Sequence, residues 1–147
     1  MTASEDVHVS GHCYCGGVTF DVDIPAGGTL LFSTFCHCDS CRRAHAAPLY
    51  QVACVDASMF RLTAGADRLV RFNKGGHITR AFCGTCGSRI LNSFGDWKPG
   101  GRTPIAFFPD LLDAGTRRAL PAIFRTQKHN CPDECVLDAE ALAKVLG

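Results

Sequence analysis

The sequence predicts a small, mainly β protein, and three observations lead to this fold class. Short stretches of alternating or uniformly apolar residues recur along the chain. Glycine and proline separate these stretches, and a helix-forming composition begins only after Pro109. Many short strands broken by turn residues are typical of an antiparallel β architecture, here with minor helix near the C-terminus.

The first predicted strand follows a polar leader at residues 1–10. The segment GVTFDVDI, residues 17–24, alternates apolar and polar side chains, which is the two-residue period of a strand with one buried face. Further strands are predicted at TLLFSTF, residues 29–35, and at LYQVACV, residues 49–55. Turn residues lie on either side of each segment.

A hairpin is predicted in the middle of the chain, where DRLVRF and HITRAF flank the turn Asn73–Gly76. The segments SRILNSF and IAFF, residues 88–94 and 105–108, predict two more strands. Helices are predicted at 110–120 and 138–146, each opened by an aspartate that can cap its first turn.

Charge and hydropathy exclude several classes of partner. With 15 basic and 14 acidic side chains the net charge is +1, which creates no field that attracts nucleic acid or a membrane surface. No apolar run approaches the roughly 18 residues of a spanning helix, and the N-terminus does not resemble a secretory signal. We therefore expect a cytoplasmic protein that acts on small molecules, without nucleic acid or membrane partners.

Ten cysteines are the most unusual feature of the composition. In a reducing compartment such thiols seldom form disulfides, so clustered cysteines indicate metal binding. Seven of the ten fall into three tight groups, which are Cys13/Cys15, Cys36/Cys38/Cys41 and Cys83/Cys86. Residues two apart in an extended chain point to the same side, and a CxxC turn brings two sulfurs towards one point.

The two simple pairs, Cys13/Cys15 and Cys83/Cys86, supply the four thiolates of a structural zinc site. Such an ion would link the first predicted strand to the hairpin region and stabilise the domain across a long sequence separation. The remaining group, Cys36, Cys38 and Cys41, has only three thiols.

Three interpretations of this triple are open. It can bind zinc through three thiolates and leave the fourth position for a substrate, which makes it catalytic. It can recruit a fourth ligand and become a second structural site, with the candidates His37, His45, His129, Cys131 and Cys135. It can also be a redox pair, although the strand-rich context is not that of a thioredoxin.

Three thiolate ligands favour the activation of a thiol over the activation of water. They over-neutralise a doubly charged ion, so water activation is weak, whereas an incoming thiol becomes a strong nucleophile. Arg42 and Arg43 directly follow the triple, and a guanidinium here can bind a substrate carboxylate or simply brace the structure. His45 is the candidate general base.

The segments GHCYCGGVTFDV, FCHCDSCRRAHAAPLYQVACV and AFCGTCGSRI resemble, in order and spacing, the family of glutathione-dependent formaldehyde-activating enzymes and the centromere protein V domain. The resemblance is strongest over residues 11–94, within one zinc domain expected over 11–147. It implies the β-tent fold, with a structural zinc on the four paired cysteines and a second zinc on the triple.

The resemblance also implies an activity. Members of the family join formaldehyde to glutathione and form S-hydroxymethylglutathione, formally a carbon-sulfur lyase reaction. We therefore expect two zinc ions per chain, glutathione or a similar thiol as cosubstrate, and an aldehyde as its partner. The alternative is a zinc-stabilised binding module of the same fold that performs no catalysis.

Overall fold

The computed structural model describes residues 1–138, 140, 143 and 144. Over these residues the strands are β1 (Val7–His12), β2 (Thr19–Ile24), β3 (Phe32–Cys36), β4 (Tyr50–Asp56), β5 (Phe60–Ala64), β6 (Leu69–Asn73), β7 (Thr79–Cys83), β8 (Arg89–Ser93), β9 (Pro104–Phe107) and β10 (His129–Asn130). The α-helices are α1 (Asp39–His45) and α2 (Ala114–Arg118). Short 3-10 turns occur at Ala57–Met59, Ala66–Arg68, Pro99–Gly101, Pro109–Leu111, Ala122–Phe124 and Pro132–Glu134.

The described strands form two sheets. The smaller sheet has the order β1-β2-β5 and the larger sheet has the order β10-β3-β4-β9-β8-β7-β6. Neighbouring strands are antiparallel except for β10, which runs parallel to β3 and pairs His129 with Phe35 and Asn130 with Cys36. This last pair brings the C-terminal part of the chain beside the cysteine triple.

The principal core lies between the two sheets and is rich in phenylalanine. Phe20 of β2 stacks on Phe60 of β5, with ring centroids 5.1 Å apart, and also packs on Phe107 of β9 at 6.1 Å. Phe107 in turn meets the edge of Phe124 at 5.6 Å. Each buried aromatic ring stabilises the fold by about 1.5–3 kcal/mol, so this chain of rings holds the sheets face to face.

The predicted mainly β fold class is confirmed, and the strands expected from sequence are present. The hairpin is formed by β6 and β7 in the register Leu69↔Cys83 to Asn73↔Thr79. The alternation in β2 has the predicted effect, since Phe20, Val22 and Ile24 are all at most 1% exposed.

Strands β1, β5 and β10 and helix α1 were not predicted. Strand β1 begins inside the segment read as a polar leader, where Val9 is buried opposite Val22 but too few apolar residues show the alternation. Strand β5 has only one face against the core. Helix α1 has seven residues, too few for a helical period to be visible, and the Cys38 side chain accepts a hydrogen bond from the Cys41 backbone at its start.

The first of the two predicted C-terminal helices can be compared with the structure, whereas most of the second cannot. Helix α2 is a short piece of the helix predicted at 110–120. The helix predicted at 138–146 lies largely outside the described residues. No helix in the described part of the chain is long and apolar enough to cross a membrane.

Gly65 permits a close approach of two backbones, and we expect its replacement to be costly. Its φ is +73°, and a Cβ at this position would collide with the carbonyl oxygen of Gly17. Gly27 has a similar φ of +80° but no atom within 4 Å of the same position. Thermal denaturation should therefore show that Gly65→Ala loses about 2 kcal/mol more unfolding free energy than Gly27→Ala. Equal losses would mean that the close approach to Gly17 is unimportant.

Candidate metal centres and the adjoining cavity

The two cysteine pairs meet in space as one cluster, here called the tetrad (Cys13, Cys15, Cys83 and Cys86). Cys13 and Cys15 lie in the turn after β1, Cys83 ends β7, and Cys86 lies in the turn towards β8. All four sulfurs lie within 4.8 Å of one another. The tetrad therefore connects the smaller sheet to the larger one at one end of the molecule.

The spacing and hydrogen bonds of the tetrad fit a zinc ion. A tetrahedral site with Zn–S bonds of about 2.3 Å requires sulfurs about 3.8 Å apart. The Sγ atoms of Cys13 and Cys15 are 3.5 Å apart, and those of Cys15 and Cys83 are 3.8 Å apart. The Val18 amide donates to Cys13 Sγ at 3.2 Å, a contact that stabilises a thiolate. Hydrogen bonds from Ser88 also lower the pKa of Cys86 to about 5.

The second cluster, here called the triad, consists of Cys36, Cys38 and Cys41. Cys36 ends β3, Cys38 precedes α1 and Cys41 lies in the first turn of this helix. The three sulfurs lie within 4.8 Å of one another, and those of Cys36 and Cys38 are 3.7 Å apart. The strand-to-helix turn thus presents three thiols at a spacing that also fits zinc.

Several donors surround the triad sulfurs. The Asn130 side chain lies 3.5 Å from Cys36 Sγ, and Nη2 of Arg80 lies 4.0 Å from Cys41 Sγ. The hydrogen bond with the Cys41 thiol is the main cause that lowers the pKa of Cys36 to about 5. Burial, followed by the charge and hydrogen bonding of Cys41, raises the pKa of Tyr50, so its hydroxyl stays protonated at neutral pH.

His37 lies between two cysteines of the triad in sequence but contacts His129 instead of their sulfurs. His37 is fully buried, and its Nε2 lies 2.7 Å from Nδ1 of His129. The two rings stack at 5.0 Å, and His129 also packs on Phe35. These contacts make His37 a buried support behind the triad rather than a ligand.

His45 lies on the far side of Tyr50 from the triad. Its ring stacks on Tyr50 at 3.9 Å and meets the edge of Phe108 at 4.8 Å. Burial, with Arg89 and Arg80 nearby, lowers the pKa of His45 to about 4, so its ring is neutral at pH 7. It lines a separate cavity of about 450 Å³, and the structure does not bring it into the triad cavity.

The remaining fourth-ligand candidates are the two cysteines near the C-terminus. Burial, followed by the charges of Cys38, Glu134 and Cys36, raises the pKa of Cys131. The Cys135 thiol instead lies 3.5 Å from the carbonyl oxygen of Leu137. Among the described residues, no further cysteine, histidine or carboxylate joins the triad within the 4.8 Å spacing of its sulfurs.

Arg42 and Arg43 have different surroundings although they are adjacent in sequence. Nε of Arg42 donates to the carbonyl oxygen of His37 at 2.9 Å, and its Nη2 lies 3.5 Å from Asp39. Arg43 is exposed and pairs with the same carboxylate at 3.0 Å. Arg42 therefore braces the turn that carries the triad, while Arg43 lies at the surface.

A cavity of about 390 Å³ opens beside Cys36 and Cys41. Its apolar wall includes Phe32 and Phe94, whose rings meet edge to face at 6.4 Å. Its polar lining is formed by Tyr50, Asn92, Lys128, His129 and Asn130. Asn92 is buried, and its Oδ1 has no hydrogen-bond partner in the described part of the chain.

Sequence analysis missed four of the polar residues near the triad, which are Tyr50, Asn92, Asn130 and Arg80. They come from β4, β8, β10 and β7, so only the sheet order brings them together. One signal was available in the sequence: Arg80 is a charged residue on the same strand face as the apolar residues Ile78 and Phe82.

Comparison with known proteins supports the fold and identifies the family. A crystal structure of a Rhodobacter sphaeroides protein from structural genomics has a similar fold, with a TM-score of 0.58 and 22% sequence identity. The alignment covers 82% of this chain and 99% of that chain. The family model described as glutathione-dependent formaldehyde-activating enzyme matches residues 8–107. Since this match spans more than half of the sequence, the chain belongs to the family of glutathione-dependent formaldehyde-activating enzymes.

Proposed function

We propose that the protein is a zinc-dependent carbon-sulfur lyase-type enzyme that adds a small thiol, such as glutathione, to an aldehyde or reverses this addition. One observation carries the proposal: the three thiols of the triad lie together, and two of them, Cys36 and Cys41, line a cavity of about 390 Å³. The family description supports the same chemistry, since it names glutathione and formaldehyde.

The two clusters have different roles in this proposal. The tetrad, with four thiols, would hold a structural zinc, and the triad would hold the catalytic one. A zinc ion held by Cys36, Cys38 and Cys41 would lower the pKa of an incoming thiol, so that the thiol would be a nucleophilic thiolate at neutral pH.

The chain's own donors balance the negative charge of the triad. The Cys41 backbone amide lies 3.4 Å from Cys38 Sγ, and Asn130 lies 3.5 Å from Cys36 Sγ. The Arg80 guanidinium lies against Cys41. Hydrogen bonds to a thiolate favour the charged form, so these groups would stabilise metal-bound thiolates and fix their orientation.

The cavity lining suits an aldehyde beside the triad. In the addition a sulfur-carbon bond forms, the carbonyl π bond breaks, and the thiol proton ends on the former carbonyl oxygen. The protonated Tyr50 hydroxyl is the donor for this oxygen, and the Asn92 amide can orient the hydroxyl product. Phe32 and Phe94 limit the access of water.

Replacement of single cysteines should separate the two clusters. We expect two zinc ions per chain in the wild type and one in Cys38→Ala, with the melting temperature of Cys38→Ala lowered by less than about 3 °C. Cys83→Ala should lose at least about 10 °C, since it opens the link between the sheets. Metal analysis with calorimetry measures both quantities. Cys54→Ala, outside both clusters, is the control and should retain two ions.

Turnover is the direct test of the proposal. Exchange between labelled formaldehyde and its glutathione adduct can be followed by nuclear magnetic resonance. The exchange should be faster with the wild type than without protein. Cys38→Ala protein should leave the uncatalysed exchange rate unchanged. A wild type with two zinc ions and no rate increase would contradict the proposal and favour the binding module.

Tyr50→Phe should lower kcat about tenfold, because it removes the proposed proton donor while the ring and its stacking on His45 remain. Zinc content and melting temperature should stay within error of the wild type. Tyr14→Phe is the matched control, since Tyr14 is 91% exposed. An unchanged kcat in Tyr50→Phe would remove the hydroxyl from the mechanism.

A further inference from the structure

Two arginines lie on neighbouring strands against helix α1. Arg80 of β7 is only 8% exposed, and its Nη2 lies 3.4 Å from Oγ of Ser40. Arg89 of β8 is half-buried and donates from Nε to the carbonyl oxygen of Ala44 at 2.9 Å. The Arg89 guanidinium also lies 5.1 Å from the ring centroid of Phe82. Both side chains are therefore held in defined positions.

Among the described residues, neither guanidinium pairs with a carboxylate. In the described part of the chain, no carboxylate lies within ion-pair distance of Arg80 or Arg89, and Asp39 is engaged by Arg42 and Arg43. Nε of Arg80 and Nη1 of Arg89 are buried without a hydrogen-bond partner among the described residues. Burial and the nearby Arg80 lower the pKa of Arg89, which reflects the repulsion between two poorly solvated cations.

A cavity of about 360 Å³ lies over this pair. Lys74 and Arg43 add exposed cations to its lining, Asp39 adds a carboxylate that is paired with Arg43, and Phe72 forms an apolar wall. A second hollow of about 290 Å³ extends past Arg80 along the β6–β7 turn. Uncompensated buried donors at the base of a basic cavity are costly unless a ligand binds them.

We propose that Arg80 and Arg89 form an oxyanion-binding site that takes a carboxylate or phosphate group of a small molecule. The planar guanidinium matches the geometry of both groups, and an anion between the two side chains would relieve their repulsion. Lys74 is exposed at the rim and strengthens anion binding through its charge. The site is distinct from the triad cavity, although the Arg80 guanidinium also contacts Cys41.

The anion can belong to the thiol substrate or to a separate molecule. Because Arg80 Nη2 lies only 4.0 Å from Cys41 Sγ, a carboxylate on Arg80 is within the length of a small thiol-bearing molecule from the triad. A phosphate-bearing molecule would occupy the same donors without reaching the triad. The chemistry at the arginines is the same in both cases, so the experiment must separate the two sources.

Calorimetric titration of the zinc-loaded protein with inorganic phosphate at low ionic strength tests the site. We expect saturable binding of one phosphate per chain, weakened about tenfold in Arg89→Gln and about threefold in Lys74→Gln. Lys74 is exposed, so its variant reports on binding without a risk to folding. Arg71→Gln removes the same charge from β6 and should leave the affinity within about twofold, because Arg71 points to the opposite face from Phe72. Absent binding, or equal affinities in all four proteins, would overturn the proposal.

The same titration separates this proposal from the proposed enzymatic function. Phosphate carries no thiol, so Cys38→Ala should bind it as well as the wild type even if no turnover is ever observed. Competition of phosphate by S-methylglutathione, whose sulfur is blocked, would assign the site to the carboxylates of the thiol substrate. Binding of phosphate without such competition would assign it to a separate anion. If the protein is catalytically active but binds neither phosphate nor S-methylglutathione, the anion site is refuted and the proposed enzymatic function stands.

Discussion

The connection of two sheets through four cysteines is the constraint on which the rest of the structure depends. Cys13 and Cys15 follow β1, and Cys83 and Cys86 surround the end of β7, so a single ion on the tetrad would bridge strands that share no backbone pairing. A chain of this size buries only about two-thirds of its unfolded surface. A metal link would therefore add stability where the aromatic core between the sheets ends, and it would fix the position of β7.

The position of β7 in turn determines what surrounds the triad. Arg80 lies on this strand and reaches both Ser40 and Cys41 of helix α1. The parallel pairing of β10 with β3 brings Asn130 to Cys36 from the opposite side. Groups from two strands thus give the triad sulfurs positive or hydrogen-bonding partners. Among the described residues, the same arrangement leaves no carboxylate within ion-pair distance of Arg80 or Arg89.

Local patterns in the sequence were sufficient for seven of the ten described strands and for both cysteine clusters. The alternation around Phe20 and the CxxC spacing of Cys83 and Cys86 are short-range features, and each has a short-range physical cause. The sequence could not predict that Tyr50 and Asn92 lie near the triad, because strand order brings them there and no local periodicity encodes strand order. His45 illustrates the limit: its distance along the chain from Cys41 suggested a shared site, but the end of α1 turns it behind Tyr50.

Tyr50 forms a wall of two cavities, with the triad on one side and His45 on the other. A compound that fills the His45 cavity would press on the back of this ring and alter the triad cavity without touching a cysteine. A compound that alters the triad cavity in this way needs neither a thiol nor a chelating group, because it acts through the tyrosine ring.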